Sequence, residues 1–181
     1  LLKKISGSRI VKIISQLLNM SQVFIQQLLS NVPAKYENIV ERAYDFAYRV
    51  HKDQKRASGE PYIYHPLAVA YFLSTLRLDG EAISAALLHD VLEDTSTKLE
   101  DLQKEFGEGI SFLVNGVTKL GTLYYKGEAD IRQKQNLQAQ SLRKMIFAMA
   151  KDVRVILIKL ADRYHNVQTL EHLDPKDSHR I

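Results

Sequence analysis

The chain of 181 residues is long enough for one domain with a hydrophobic core, and its 45% hydrophobic and 25% charged residues are ordinary for a globular protein. It contains no cysteine, which excludes disulfide bonds, thiolate zinc sites and a cysteine nucleophile. The formal net charge is +4, but five basic residues and no acidic residue lie in residues 1–36, so residues 37–181 carry −1. This near-neutral body argues against a dedicated nucleic-acid-binding protein.

Residues 1–32 are predicted to form an amphipathic helical extension, which the sequence alone does not place relative to the rest. Apolar residues between Ile10 and Leu29 recur at helical spacing, with polar residues such as Lys12 among them. No uninterrupted apolar span is long enough to cross a membrane, so no membrane contact is expected. The segment lacks acids and contains serine, so an organelle transit peptide is one interpretation; otherwise we expect a cytoplasmic location. Because residue 1 is Leu1 and not Met, we expect a fragment of a longer chain.

Beyond this extension strand signals are nearly absent, and apolar residues recur three and four positions apart, so we predict an all-α domain. Pro33 is expected to open a helix that runs to about His51. A polar segment follows, with a turn predicted at residues 58–61. Pro66 suits the first position of the next helix, which would make His65 its cap.

The next predicted helix begins after Asp79 and runs to Asp94, with apolar residues at helical spacing along most of its length. Four ionisable residues interrupt this apolar pattern near its end, namely His89, Asp90, Glu93 and Asp94. On one continuous helix they would form a double row, since each is one turn from another. Buried carboxylates beside an imidazole are costly unless a cation compensates them, so we interpret this cluster as a metal site and not as a solvated helix end.

The remaining elements are also predicted to be helical. They comprise a short helix from Leu99 to Phe106 stopped by Gly107, a helix from Ile110 to Leu120, a polar loop at 124–130 and a weakly apolar helix at 131–150. Asp152 is expected to cap a last helix that runs to about Leu173. On it Asp162, Asn166 and Thr169 share one face, which fits a metal and a polar ligand or, equally well, a solvated surface.

Five residues on four separate predicted helices are candidate metal ligands: His51, His65, His89, Asp90 and Asp162. Two imidazoles and two carboxylates, completed by water, suit a six-coordinate ion such as Mn²⁺ or Fe²⁺ better than tetrahedral zinc. Local spacing supports only the His89–Asp90 pair, and the others depend on the fold.

Four stretches of the sequence together resemble the HD hydrolase domain of the RelA/SpoT family, whose members make or destroy the alarmone (p)ppGpp. They read RASGEPYIYHP at 56–66, LLHDVLEDT at 87–95, GVTKL at 116–120 and RVILIKLADR at 154–163. The resemblance implies an HD-domain helical bundle for residues 33–181. It also implies metal-dependent removal of the 3′-pyrophosphate of ppGpp or pppGpp, which releases pyrophosphate and leaves GDP or GTP. Longer members continue into a synthetase domain, and this sequence does not indicate whether one follows in the full chain.

The resemblance also implies roles for individual residues. Mn²⁺ is the expected cofactor, with the ligands His65, His89, Asp90 and Asp162. Catalysis is assigned to Glu93 and Asp94, and the nucleotide pocket to Arg56, Ser58, Asn166 and Thr169, with the arginine against the guanine. Ala57 departs from the family pattern, because family members often have lysine or another polar residue at this position. This departure puts one contact to the nucleotide in doubt. His51 is not one of the family's ligands and is interpreted as a supporting or structural residue.

Two alternative functions remain open at the level of sequence. The first is an HD phosphohydrolase that acts on another nucleotide, and Ala57 is the reason to consider it. The second is a catalytically inactive HD domain that senses a nucleotide or docks a partner. Candidates to counter a substrate's negative charge are Lys52, Lys55, Arg56, Lys119, Lys159 and Arg163, each of which also fits a solvated surface cation. The oligomeric state is not indicated.

Overall fold

A computed structural model describes residues 21–121 and 151–169. Within these ranges the protein is all-α, as predicted, and its only β-type pairing is an isolated bridge between Lys55 and Pro61. None of the helices in the described ranges is both long and apolar enough to cross a membrane. The predicted loop at 124–130, the predicted helix at 131–150 and the end of the last predicted helix lie outside the described residues.

The helices are α1 (residues 21–30), α2 (Ala34–Val50), α3 (Tyr64–Thr75), α4 (Gly80–Leu87), α5 (Val91–Asp94), α6 (Leu99–Gly121) and α7 (Arg154–Gln168). Helix α4 is central, because it contacts α2, α3, α6 and α7. Small residues allow this close packing: a Cβ atom at Gly80 would collide with the Tyr36 ring of α2. Helix α4 is therefore surrounded by other helices, and the ionisable residues His89 and Asp90 come directly after its end.

The described part of the N-terminal segment packs against the body. Ile25 and Leu28 of α1, together with Val32 after it, belong to the hydrophobic core, and Leu28 is completely buried. The Phe24 ring meets the Tyr64 ring of α3 edge-to-face, with centroids 6.3 Å apart. The apolar side of this segment thus packs against the core of the domain. A domain boundary at residue 32 stays a prediction.

Helix α3 begins two residues earlier than predicted. His65 was expected to cap it, but the helix starts at Tyr64 and His65 lies in its first turn. The reason is that Ile63 already has a helical conformation, with φ −54° and ψ −25°. Pro66 is tolerated because backbone N–H groups in the first turn of a helix have no intrahelical partner. His65 consequently projects from a rigid helical turn and not from a flexible cap.

The predicted continuous helix from Asp79 to Asp94 was wrong, because the chain breaks into α4 and α5 at Leu88–Asp90. Leu88 has φ −103° and ψ 0°, and its N–H is shared between the carbonyl oxygens of Ser84 and Ala85. His89 Nδ1 donates to the carbonyl oxygen of Ala86 at 2.7 Å, and this hydrogen bond holds the imidazole in a buried position against the end of α4. His89 and Asp90 therefore lie at the break, so His89 is not on one continuous helix with Glu93. The Asp94 N–H still donates to the Asp90 carbonyl oxygen at 2.9 Å, so Asp90 and Asp94 remain one turn apart.

The division of α6 and the start of α7 follow the sequence prediction closely. Gly107 divides α6 into two helical segments, and its φ of +80° lies in the left-handed region that favours glycine. Asp152 Oδ1 accepts a hydrogen bond from the Arg154 backbone N–H at 2.9 Å, and α7 begins at Arg154. Helix α7 then brings Asp162 and the residues after it opposite α3.

Candidate metal centre

Three buried side chains from α3, the α4–α5 break and α7 converge on one point. One ligand atom from each of His65, His89 and Asp162 lies within 4.8 Å of the other two. His65 Nε2 is 3.3 Å and His89 Nε2 is 3.8 Å from Asp162 Oδ1. Asp90 Oδ2 lies 3.5 Å from His65 Nε2 and 3.1 Å from His89 Nε2, so the fourth predicted ligand faces the same point.

His89 is positioned as a ligand would be. Because the Ala86 carbonyl can only accept, the hydrogen bond from His89 Nδ1 directs Nε2 toward the carboxylates. Nε2 is completely buried and has no aligned hydrogen-bond partner, even though Asp90 Oδ2 is only 3.1 Å away. A buried polar atom without such a partner is costly unless another group binds it. The donor set of two nitrogens and carboxylate oxygens therefore fits a divalent cation at this point.

The electrostatics of the cluster favour a positive charge at its centre. Burial alone would raise the pKa of the Asp90 carboxyl, but the adjacent His89 outweighs it and lowers that pKa below its usual range. Burial would also raise the pKa of the Asp162 carboxyl, but the neighbouring imidazoles of His65 and His89 outweigh it and lower that pKa. Burial also opposes the charged form of His89, but Asp90 raises the His89 pKa to about 10. Two ionised carboxylates in a buried pocket thus stabilise a cation.

Residues of α7 hold Asp162 in place. Asn166 Nδ2 donates to Asp162 Oδ1 at 2.6 Å, and Lys159 Nζ donates to Asp162 Oδ2 at 2.7 Å. Asp162 is 3% exposed, so its carboxylate depends on these donors and on the two imidazoles for its interactions. Asn166, which was predicted to face the nucleotide, therefore also supports a predicted metal ligand.

Tyr62 connects the candidate metal ligands to the acidic pair of α5. Its hydroxyl lies 2.7 Å from Asp90 Oδ2 and 2.6 Å from Asp94 Oδ2. Its ring stacks on His51 with centroids 4.7 Å apart, and His51 Nδ1 donates to Gln54 Oε1 at 2.6 Å. His51 thus packs behind the tyrosine and lies outside the group that could hold a metal.

A cavity of about 780 Å³ opens in front of this cluster. Nine of the ten sequence-predicted site residues line it, namely Arg56, Ser58, His65, Asp90, Glu93, Asp94, Asp162, Asn166 and Thr169. His89 lies behind this wall, completely buried. The cavity also has four cationic side chains, from Lys55, Arg56, Lys159 and Arg163. It therefore combines an acidic wall of candidate metal ligands with a basic surface that suits phosphate groups.

Arg56 crosses the cavity to α7. Arg56 Nη2 donates to Asn166 Oδ1 at 2.8 Å and to Thr169 Oγ1 at 3.2 Å. Both contacts come from the same nitrogen, so they hold this end of the guanidinium group against α7. Ser58 lies on the same loop, where its hydroxyl donates to Glu60 Oε2 at 3.3 Å, and Ala57 lines the cavity between them.

Two residues close to the centre were not identified from sequence. Tyr62 lies three positions before His65 in the RASGEPYIYHP stretch, and this closeness to a candidate ligand is the only feature of the sequence that points to it. His165 stands three positions after Asp162, one helical turn away, and its Nδ1 lies 2.9 Å from His65 Nδ1. Burial and the neighbouring His65 lower the pKa of His165 to about 4. Each of the two lies three positions from a candidate ligand in the sequence, but this spacing does not indicate the contact that the residue makes.

Comparisons with known proteins were consistent across sequence and structure. Residues 43–181 match the model of a family described as "HD domain". A guanosine-3′,5′-bis(diphosphate) 3′-pyrophosphohydrolase of Aquifex aeolicus is 51% identical over 146 residues, which cover 81% of this chain and 20% of that protein. The bifunctional (p)ppGpp synthase/hydrolase SpoT of Escherichia coli is 46% identical over 156 residues, which cover 86% and 21%. The chain thus spans about a fifth of these curated relatives.

A solved structure is similar over most of both chains. It is that of a metazoan ortholog of SpoT that hydrolyses ppGpp and plays a role in starvation responses. It aligns with a TM-score of 0.55 and 27% sequence identity, covering 82% of this chain and 79% of that one. The alignment indicates that the helical arrangement described above is shared with that protein.

Proposed function

The chain belongs to the HD domain family, and we propose that it is a metal-dependent 3′-pyrophosphohydrolase of ppGpp and pppGpp. The observation that carries this proposal is the convergence of His65, His89, Asp90 and Asp162 on one wall of a cavity with a basic surface. The names of the relatives from Aquifex aeolicus and Escherichia coli supply the substrate. The products would be pyrophosphate and GDP or GTP.

We propose Mn²⁺ as the cofactor, held by the Nε2 atoms of His65 and His89 and by carboxylate oxygens of Asp90 and Asp162. Imidazole and carboxylate ligands with open positions suit a six-coordinate first-row ion. When bound, such an ion lowers the pKa of a coordinated water and polarises a phosphate oxygen. The backbone contact of His89 and the α7 donors to Asp162 pre-orient the ligands, so little rearrangement is needed for binding.

The proposed catalytic residues are Glu93 and Asp94 on α5. Both line the cavity beside Asp90. Partial burial raises the pKa of Glu93, while Lys159 opposes the rise, so this carboxylate is a better proton acceptor than an ordinary glutamate. Asp94 is fixed by the Tyr62 hydroxyl. We propose that this pair orients the attacking water and accepts its proton.

Basic residues of the cavity are proposed to bind the substrate's phosphates. Lys55, Lys159 and Arg163 place positive charge around the cavity and would offset the charge of a guanosine polyphosphate. Arg56, which donates hydrogen bonds to Asn166 and Thr169, is proposed to pack against the guanine, and Ser58 to contact the nucleotide beside it. These five side chains would set the nucleotide so that its 3′-pyrophosphate faces the metal-binding wall.

One observation supports an alternative substrate. Ala57 lines the cavity next to Arg56, and its methyl group cannot make a polar contact with a nucleotide. An HD phosphohydrolase acting on a different nucleotide would tolerate this residue. The two proposals differ only in substrate, because both use the same metal-binding wall and the same acidic pair.

The proposal is tested by incubating the chain with ppGpp and Mn²⁺ and measuring pyrophosphate and GDP by chromatography. We expect equimolar release of the two products, which EDTA abolishes and fresh Mn²⁺ restores. Asp162→Asn serves as the inactive control, because it replaces one ligand without changing size. Absence of pyrophosphate in the presence of Mn²⁺ would contradict the proposal, and turnover of another nucleotide in a parallel panel would favour the alternative.

A further inference from the structure

We propose that His165 is a positioning residue for the metal centre: its ring accepts a hydrogen bond from His65 Nδ1 and so aims His65 Nε2 at the metal. This inference rests on the proposed function, because it takes His65 to be a metal ligand. His165 was not assigned any role from sequence, and it acts through His65 without contacting the metal or substrate.

The geometry of the two rings carries the inference. His65 Nδ1 and His165 Nδ1 are 2.9 Å apart, and the ring planes are tilted by 48°. At this distance one nitrogen donates and the other accepts, so the two atoms cannot both be protonated. On the other side of the ring, His65 Nε2 faces Asp162 Oδ1 at 3.3 Å. A metal bound at Nε2 requires the proton on Nδ1, and His165 Nδ1 is the acceptor placed to receive it.

His89 shows what this arrangement achieves. Its Nδ1 donates to the Ala86 carbonyl, and its Nε2 is thereby directed toward the same carboxylates. The two imidazoles of the centre therefore share one design, in which Nδ1 is occupied and Nε2 points inward. The acceptor is a backbone atom for His89 but a side chain for His65. The second acceptor can accordingly be removed by mutation without changing the backbone.

Within the described residues, no other side chain forms a hydrogen bond with His65 Nδ1. His65 is 1% exposed, so water does not readily replace a lost partner. Without an acceptor, the ring would leave a buried N–H unsatisfied or shift its proton to Nε2, where it would compete with the metal. Partners of metal-bound histidines typically change metal affinity by about 10- to 100-fold when removed.

The test compares His165→Leu with His165→Asn in the full chain, without nucleotide. The two replacements are nearly the same size, but only asparagine has an acceptor oxygen close to the position of Nδ1. Affinity for Mn²⁺ is measured by isothermal titration calorimetry, and the fold of each metal-free variant is checked by circular dichroism. We expect leucine to weaken binding about 10- to 100-fold and asparagine to keep it within about threefold of the parent.

Two results would overturn the inference: parental affinity in His165→Leu, or an equal loss in both variants, which would indicate a purely steric role. Should His165→Leu not fold, His165→Ala replaces it in the same comparison, since His165 lines an open apolar cavity on its other side. A parent chain that binds no divalent ion would overturn the inference together with the metal site. Acceptor-dependent Mn²⁺ binding without ppGpp hydrolysis would uphold the inference and reject only the proposed activity.

Discussion

The hydroxyl of Tyr62 lies 2.6 Å from a carboxylate oxygen of Asp94. The same hydroxyl lies 2.7 Å from Asp90, so one phenolic group joins a proposed metal ligand to a proposed catalytic residue. Burial and the charge of Asp90 raise the pKa of Tyr62 above its usual range, which keeps the hydroxyl protonated and able to donate. The position of Asp94 relative to the metal centre therefore depends on a residue outside the predicted site.

Replacement of Tyr62 by phenylalanine should slow catalysis with little effect on folding. The ring can remain stacked on His51, but the single hydroxyl proton that lies between the two carboxylates is lost. Removing an outer partner of a metal ligand typically lowers metal affinity or activity about 10- to 100-fold, and we expect a fall in kcat of that size. Steady-state kinetics with ppGpp measures this. Tyr64→Phe, the same change on the side that faces the apolar cavity, is the matched control and should leave kcat near the parental value.

Glu93→Gln and Asp94→Asn separate an enzyme from a nucleotide sensor. If the acidic pair transfers the proton of the attacking water, each variant should lose about 10²- to 10⁴-fold in kcat. Mn²⁺ affinity and the Kd for ppGpp should stay close to the parental values, because neither residue is among the proposed ligands. Calorimetry and kinetics on the same preparations test both statements. Undiminished turnover in both variants would remove the pair from the mechanism.

Ala57→Lys should strengthen substrate binding. Ala57 lines the cavity between Arg56 and Ser58, so a lysine there would add a charge-assisted contact to a nucleotide. We expect KM for ppGpp to fall about fivefold or more, with kcat nearly unchanged. Ala57→Met, which adds length without charge, is the control. If lysine instead lowered kcat/KM for ppGpp and raised it for another nucleotide, the alternative substrate would be favoured.

A fourth prediction concerns the ion cluster that joins the starts of α4 and α7. Arg154 Nη1 donates to Asp79 at 2.8 Å and to Glu81 at 3.0 Å, and Arg154 Nη2 donates to Asp152 at 2.7 Å. The hydrogen bond from Arg154 lowers the pKa of Asp152. A lowered carboxyl pKa stabilises the fold above the unfolded-state value of about 3.9, and this contribution is lost as the pH falls below it.

Asp152→Asn should therefore lower the free energy of unfolding at pH 7 by about 0.5–1 kcal/mol, a small value because the pair is partly exposed. Asparagine retains an acceptor for the Arg154 backbone N–H, so the helix start is preserved. Urea unfolding at pH 7 and pH 3 measures the difference between the two proteins. A difference of the same size at both pH values would show that the ion pair is not its cause.

Much of the fold could be read from the sequence because its signals are local. Apolar spacing predicted α2 and α7, and Gly107 predicted the division of α6, since a positive φ strongly favours glycine. The break at Leu88–Asp90 could not be predicted in this way. Residues on both sides have good helical spacing, and the break depends on a hydrogen bond from His89 to Ala86 within a completely buried environment.

In the candidate site, too, some residues are indicated by local sequence and others depend on the packing of the helices. His89 and Asp90 stand out locally as polar residues in an apolar run, but the place of His65 and Asp162 beside them depends on how α3 and α7 pack. The resemblance to a known family supplied that information before the fold was known. The contacts of Tyr62 with Asp94 and of His165 with His65 join residues 32 and 100 positions apart, and no local pattern indicates either.

The most direct test of the central claim is anomalous diffraction at the manganese edge from crystals of the chain soaked in Mn²⁺. The account predicts one strong peak about 2.0–2.3 Å from the Nε2 atoms of both His65 and His89 and from carboxylate oxygens of Asp90 and Asp162. A peak elsewhere, or no peak beside these four residues, would contradict it.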